Sequence, residues 1–497
     1  MKSTLPGTIE PAQFLLSRPM TELGIMGGTR DFLPQEMNRR EYVIDRMKQV
    51  FRKYGFEPLE TPSIERWDTL AGKYGEEGEK LIYHVISSGK LRQEMDKPDF
   101  LANYLSDTES RLALRYDLTV PLSRVMGMYG DQTYPDPTDP KGKRQLRKLS
   151  RPFKRYQIQP VWRGDRPGAG RYREFFQCDV DVIGAESLLV EAELVAIGSE
   201  VLSSLGFPSF TIRMNHRKLL TGFIQWAGIP KHQEAAALTA VDKLDKATPE
   251  EVQQELLAKN CAKDAVEKLF KVIGLEGNSS EVLAQAQELL TQSSLALAGI
   301  QDLEKVLGHL KDYEIPEQNY KVDLTLARGL DYYTGTIFET VTPAKVGSIG
   351  GGGRYDRLIY DLSNGKIDLP AVGTSFGLDR LLTALEMLDL LQTVPPISEV
   401  LVTRFTDPGA ATLGLSLAKQ LRNEGIRTEI FYGDEPFSPN EMRKQLGYAN
   451  EKKITYVLIL GPGEIESGVV ALRNMNDRSQ QMVPLHEIVL LLKQLCR

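Results

Sequence analysis

Six arginines stand out for their surroundings. Arg163, Arg166, Arg171 and Arg173 crowd one predicted hairpin, Arg328 sits between Ala327 and Gly329 in a segment that reads as an apolar strand, and Arg380 opens a helix-like run after Gly377. A guanidinium on a rigid element is planar and gives two charge-assisted hydrogen bonds at once, so the set suits a polyanion such as a triphosphate. The chemistry suggested is phosphoryl or nucleotidyl transfer by electrostatic clamping. Taken singly, each feature has a plainer account. A strand arginine is commonly a surface ion pair. The run Gly350–Gly353 reads as a flexible loop, Tyr332-Tyr333 as core aromatics, and Cys178 as a small buried hydrophobe.

Other chemistries find little support. The chain shows no P-loop or dinucleotide fingerprint, its five histidines form no metal cluster, and Cys178, Cys261 and Cys496 lie too far apart for a zinc knuckle. No protein-caged metal is expected. Three cysteines cannot form an even disulfide framework, which points to a reducing compartment.

The elements that must position these arginines follow from periodicity. Pro34 opens a helix in which Tyr42, Val43, Met47, Val50, Phe51 and Tyr54 fall at helical spacing, and Gly55 closes it. Residues 56–64 read as an extended segment; its prolines, Pro58 and Pro62, place it at a sheet edge or an interface. Residues 156–183 read as two antiparallel strands joined by an unusually long Gly/Pro-rich loop. From about 214 to 320, Ala, Leu, Glu, Gln and Lys dominate at helical spacing, a mainly helical insert. Strand chemistry returns at 321–342, and a helix follows from about Leu378. After Pro395-Pro396 the chain alternates strand (400–405), helix (411–423), strand (428–432), helix (441–448) and strand (456–460), with a last helix from Leu485, as in a separate α/β domain.

With 497 residues, 41% hydrophobic and 26% charged, the chain has room for several globular domains and is neither disordered nor fibrous. Its apolar runs, such as 456–460 and 488–492, fall far short of the ~20 residues of a membrane span, so no membrane partner is expected. The start of the chain shows no secretory signal pattern. Net charge is −6, but residues 139–155 carry +7 and the remainder −13, so a local cationic surface is expected there.

The order of several motifs resembles one family. Gly28-Thr29-Arg30-Asp31-Phe32-Leu33-Pro34 resembles its opening. Gly55-Phe56 to Thr61-Pro62 with Glu65, Val161–Pro167 with Gly170–Phe175, and Gly373 to Arg380 resemble motifs 1, 2 and 3 of the class II aminoacyl-tRNA synthetases. Leu326-Ala327-Arg328-Gly329-Leu330-Asp331-Tyr332-Tyr333-Thr334-Gly335 and Gly352-Gly353-Arg354-Tyr355-Asp356 are similar to the signatures of the histidyl family within that class. The resemblance implies an α+β fold: an antiparallel-sheet catalytic domain with a helical insertion and a separate C-terminal α/β anticodon-binding domain. Its implied layout is an N-terminal extension (1–24), catalytic parts at 25–213 and 321–392, an insertion at 214–320 and the anticodon-binding domain at 397–497.

The same resemblance implies activation of L-histidine by ATP, with Mg²⁺ on the ATP phosphates, and transfer to tRNA(His) by a cytoplasmic homodimer. By its residue-by-residue analogy, Arg163 and Arg328 are catalytic at the α-phosphate, and Arg163, Arg171, Phe175 and Arg380 bind ATP, with adenine stacked on Phe175 and the γ-phosphate on Arg380. Asp117 and Thr119 take the α-amino group, Gln177 faces the carboxylate, and Asp181, Tyr332 and Tyr333 complete the histidine pocket. The competing reading is a catalytically inactive synthetase-like regulator, a histidine-biosynthesis subunit or an uncharged-tRNA sensor. Such chains typically lose the ATP arginines or the anticodon-binding domain, and both are present here.

Overall fold

The computed structural model describes residues 23–89, 99, 111–130, 149–327, 332–392, 394–405, 407–432 and 439–496. The chain divides into two compact units: residues 32–42 with 391–497, and the remainder up to 390. The helix Pro34–Lys53 therefore starts in one unit and ends in the other. Gly55 ends it with φ of 79°, a backbone conformation that favours glycine.

The larger unit is built on an eight-stranded sheet, with a small three-stranded sheet beside it. In chain order the strands are β1 (Glu57–Pro58), β2 (Ile64–Arg66), β3 (His84–Val85), β4 (Leu112–Leu114), β5 (Phe153–Trp162), β6 (Glu174–Ile183), β7 (Thr211–His216), β8 (Tyr320–Val322), β9 (Thr336–Val341), β10 (Gly350–Arg354) and β11 (Ala371–Gly377). The large sheet runs β1-β5-β6-β11-β10-β9-β7-β8, and β2-β4-β3 form the small one. Strands β5 to β7 pair antiparallel throughout, and a short parallel strand, β1 or β8, closes each edge. The segment with Pro58 is thus an edge strand, as its prolines require.

The long hairpin is β5–β6, paired from Phe153 with Ile183 to Trp162 with Glu174. Side chains alternate across a strand, so Cys178, Val180 and Val182 of β6 are buried together on one face. On that face the helix Leu189–Ser204 packs so closely that a Cβ on Gly198 would meet Ile212 at 3.0 Å and Phe376 at 3.7 Å. The helical stretch runs from Arg217 to Asp312, and strands of the same sheet flank it on both sides.

Three sequence expectations need correction. The run Gly350–Gly353 is no loop; it is β10, in the interior of the sheet, where a Cβ on Gly352 would collide with the carbonyl oxygen of Gly373 on the neighbouring strand. Residues Asp323–Ala327, which lead to Arg328, form a turn closed by Asp323 on Thr325, not a strand; Arg328 itself lies outside the described residues. Within the basic run 139–155, Arg155 is fully buried, so its charge belongs to the interior and not to a cationic surface. Most of that run lies outside the described residues.

The smaller unit has a five-stranded sheet of β12 (Val400–Val402), β13 (Thr428–Ile430), β14 (Tyr456–Ile459), β15 (Val469–Asn474) and β16 (Gln480–Pro484), ordered β13-β12-β14-β15-β16. The first three strands are parallel, joined by the helices Pro408–Asn423 and Pro439–Glu451, and β15 and β16 add an antiparallel hairpin that the alternating pattern had not announced. Among the described residues no helix is long and apolar enough to cross a membrane.

Candidate active site

The face of β6 opposite its apolar one carries Phe175, Gln177, Asp179 and Asp181, each two residues from the next. All four line a cavity of about 380 Å³. Asp117, Thr119, Arg163, Arg171, Tyr332, Tyr333 and Arg380 line it too, so every described residue to which the family resemblance gave a site role converges here, whereas Arg166 and Arg173 of the hairpin do not line it.

Glycine makes room for them. Gly373 on β11 pairs with Asp181, and a Cβ there would collide with the Asp181 carboxylate; one on Gly353 would stand 2.8 Å from the Tyr333 ring. The glycine run therefore brings side chains from neighbouring elements down onto bare backbone.

Part of the lining is rich in acids and phenols. Asp117 lies just before the helix Thr119–Tyr129; its Oδ1 accepts from the Val120 amide (3.1 Å) and the Tyr74 hydroxyl (3.0 Å), and its Oδ2 from Tyr332 (3.1 Å). Burial raises the Asp117 carboxyl, although these donors and Arg163 oppose the shift. Burial and the Asp117 charge push both hydroxyls well above the ordinary phenol range, so they remain donors. Tyr333 stands edge-on to Tyr332, ring centres 5.0 Å apart. A carboxylate has about four acceptor sites, and three donors leave Asp117 one for an ammonium group.

Asp181 is held at both oxygens. Tyr355 donates to Oδ1 at 2.5 Å, and Arg155 Nη2 lies 3.0 Å from Oδ2. The arginine that pairs with Asp181 is Arg155; Arg173 donates instead to the carbonyls of Gly27 and Asp165. Burial raises the Asp181 carboxyl against the opposing pull of Arg155. Asp179 is pushed up to about 7, by burial first and then by the Asp181 charge, with Arg155 opposing. Gln177 donates to Ser375 Oγ at 3.0 Å, which fixes its amide.

Three guanidiniums line the same cavity. Arg163 donates from Nε to the Tyr116 carbonyl (3.0 Å), lies 4.2 Å over the Tyr116 ring and 5.2 Å from the Phe175 ring centre. Arg380 donates to the Ser348 carbonyl at 2.9 Å. Arg171, half-exposed, is held in a two-pronged pair with Asp165 at 2.8 and 3.2 Å. Tyr355 and Asp179 line the cavity without having been selected from the sequence, and Arg155 stands behind the lining, paired with Asp181; Tyr355 stood within a recognised signature, and Arg155 was hidden in a basic run.

An antiparallel sheet with carboxylates and arginines gathered on one face is the catalytic architecture of a class II aminoacyl-tRNA synthetase. A family profile described as histidyl-tRNA synthetase matches residues 28–95 and 141–381, and an anticodon binding domain profile matches 399–495. The chain is 59% identical to the histidine–tRNA ligase of Gloeobacter violaceus, over 94% of this chain and 97% of that one, and 40% identical to that of Cytophaga hutchinsonii, over 93% and 97%. The solved histidyl-tRNA synthetase of Nostoc sp. PCC 7120 superposes with a TM-score of 0.78 at 28% identity, covering 95% of this chain and 99% of that one. The chain belongs to the histidyl-tRNA synthetase family.

Proposed function

We propose that this protein activates L-histidine with ATP, releasing pyrophosphate, and transfers the histidyl group to the 3′-terminal adenosine of tRNA(His), releasing AMP. The observation that carries the reading is a single cavity lined both by buried carboxylates and phenols and by the guanidiniums of Arg163, Arg171 and Arg380. Asp117, with Thr119 beside it, takes the α-ammonium group. Gln177 faces the carboxylate, and Asp181 with Tyr333 takes the two imidazole nitrogens, with Tyr332 orienting Asp117. ATP lies toward Arg163, Phe175, Arg171 and Arg380.

The histidine carboxylate attacks the α-phosphorus as pyrophosphate leaves, a step that needs alignment and fixed positive charge more than a protein nucleophile. Arg163 supplies that charge, and the family resemblance assigns the same task to Arg328, which lies outside the described residues. Every carboxylate lining the cavity already has an arginine, a hydroxyl or an amide as partner: Asp117, Asp165, Asp179, Asp181, Glu339 and Asp379. Such a donor set fits magnesium that arrives on the ATP phosphates, where it neutralises charge on the leaving group. An imidazole lacking either nitrogen leaves a buried group unpaired, which is how a site of this kind rejects analogues without editing.

The smaller unit contributes the anticodon contacts, and residues 55–65, with the edge strand β1, contribute to a homodimer interface. A cytoplasmic setting agrees with a chain whose three cysteines form no disulfide with one another. No observation favours the inactive regulator. Histidine-dependent exchange of labelled pyrophosphate into ATP tests the reading. The purified protein should support it, and Arg328→Ala should lose about 100-fold or more, the typical result of removing one preorganised donor. Absence of exchange in the parent protein defeats the proposal.

A further inference from the structure

Arg155 has no part in the chemistry above and does not itself line the cavity. It lies on β5 directly opposite Asp181, fully buried. Its Nη2 stands 3.0 Å from Asp181 and 3.8 Å from Asp179, and donates to the Leu118 carbonyl at 3.2 Å. Leu118 is the residue between Asp117 and Thr119. One guanidinium thus grips both the strand that carries Asp181 and the turn that carries Asp117.

As a device for stability this is a poor one. Nε and Nη1 of Arg155 are buried without a hydrogen-bond partner among the described residues, and the Nη2 approach to Asp181 is an ion pair without hydrogen-bond alignment. Burying a charge and leaving donors unmet both cost free energy, and an apolar side chain of similar volume commonly serves a core as well or better. What the arginine does supply is a fixed span between two carboxylates. The span has little slack: Tyr355 holds the other Asp181 oxygen, and the Gly373 backbone lies directly against the carboxylate.

We propose that Arg155 is a positioning residue for amino-acid selection, setting the distance between the carboxylate that meets the substrate's side chain and the one that meets its α-ammonium group. The pocket then measures the length of its amino acid as well as its polarity. The proposal rests on the reading of the cavity as a histidine site. Asp179, sharing the same guanidinium, keeps Arg155 from swinging wholly toward Asp181.

Pyrophosphate exchange on the full-length protein and on Arg155→Lys and Arg155→Met provides the test. Lysine keeps the charge, but a single ammonium replaces the fork, so the KM for histidine should rise about tenfold; methionine should raise it about 100-fold, with the KM for ATP within about twofold in both. Discrimination against homohistidine, one methylene longer, should fall in the lysine variant. Circular dichroism and thermal melting establish that each variant is folded, and if the methionine variant is not, the lysine variant decides. A folded lysine variant whose two KM values move together, or do not move, overturns the proposal. Loss of histidine dependence in the unmodified protein would instead overturn the histidine reading of the cavity.

Discussion

The two main sheets follow opposite rules. In the five-stranded sheet the buried strand positions are apolar apart from Thr428: Val400, Val402, Leu458, Val470 and Leu472 belong to one core. In the eight-stranded sheet, β5 and β6 bury Arg155, Gln157, Asp179 and Asp181 at 2% exposure or less. Burying ionised groups is expensive unless each has a partner. Here the catalytic sheet accepts that cost to hold its donors and acceptors rigid, whereas the smaller sheet has only to be stable.

That contrast is open to test. The largest effect should come from Gly352→Ala, which places a methyl group against the Gly373 carbonyl. Neither neighbour is a flexible side chain, so the variant should lose at least about 4 kcal/mol, or fail to fold in its larger unit. Gly463→Ala in the smaller unit, where nothing lies within 4 Å, should melt at or slightly above the parent temperature. Equal melting temperatures for the two variants would mean that the glycine strand is not as tightly packed as described.

Next in size is deletion of residues 397–497. Loss of tRNA contacts worth about 3 kcal/mol would lower aminoacylation about 100-fold, while exchange should be largely retained. Equal loss of both activities in a truncated protein that circular dichroism shows to be folded would contradict the division of labour.

The smallest effects are in pH dependence, and their signs differ between the units. Asp179 has a folded-state pKa of about 7, above its ordinary 3.8, because burial favours the neutral form. Its contribution to stability is therefore full at low pH and declines as pH rises from about 4 to 7. Asp179→Asn should match the parent near pH 4 and melt above it at pH 8. Glu429 is the reverse case. Its partial burial opposes ionisation, but Lys452, Ser398 and Tyr448 outweigh it and lower the pKa. Glu429→Gln should melt about 2 °C below the parent at neutral pH, the deficit fading as pH falls through the carboxylate range. Parallel pH profiles for the two variants would remove the distinction.

The same contrast explains what could be read from the sequence. The β5–β6 hairpin was legible because both strands are rich in aromatic and branched residues around a Gly/Pro loop, and the parallel strands and helices of the smaller unit because they alternate cleanly. The glycine strand β10 was not, since glycine is depleted in strands and only tertiary packing shows why no side chain fits there. Strand β16, Gln480–Pro484, is mostly polar and ends in proline, so nothing but its pairing with β15 marks it. The arginines announced phosphate chemistry by their type alone. The acidic part of the lining needed the family resemblance to be seen, because Asp117, Asp181 and Tyr333 come from three distant segments. Arg155 was misread since a run of like charges looks solvated until one member is found inside.

The helix Pro34–Lys53 has a consequence for how the protein is made. Residues 32–42 belong to the unit completed by residues 391–497, with Asn38 donating to the Pro395 carbonyl at 2.7 Å. On a ribosome adding about 5–20 residues per second, roughly twenty to seventy seconds separate these partners. The larger unit can close around the second half of the helix in that interval, while the first half waits for residues 391–497. The smaller unit therefore cannot finish folding before residues 391–497 have been made, so its assembly follows that of the larger unit.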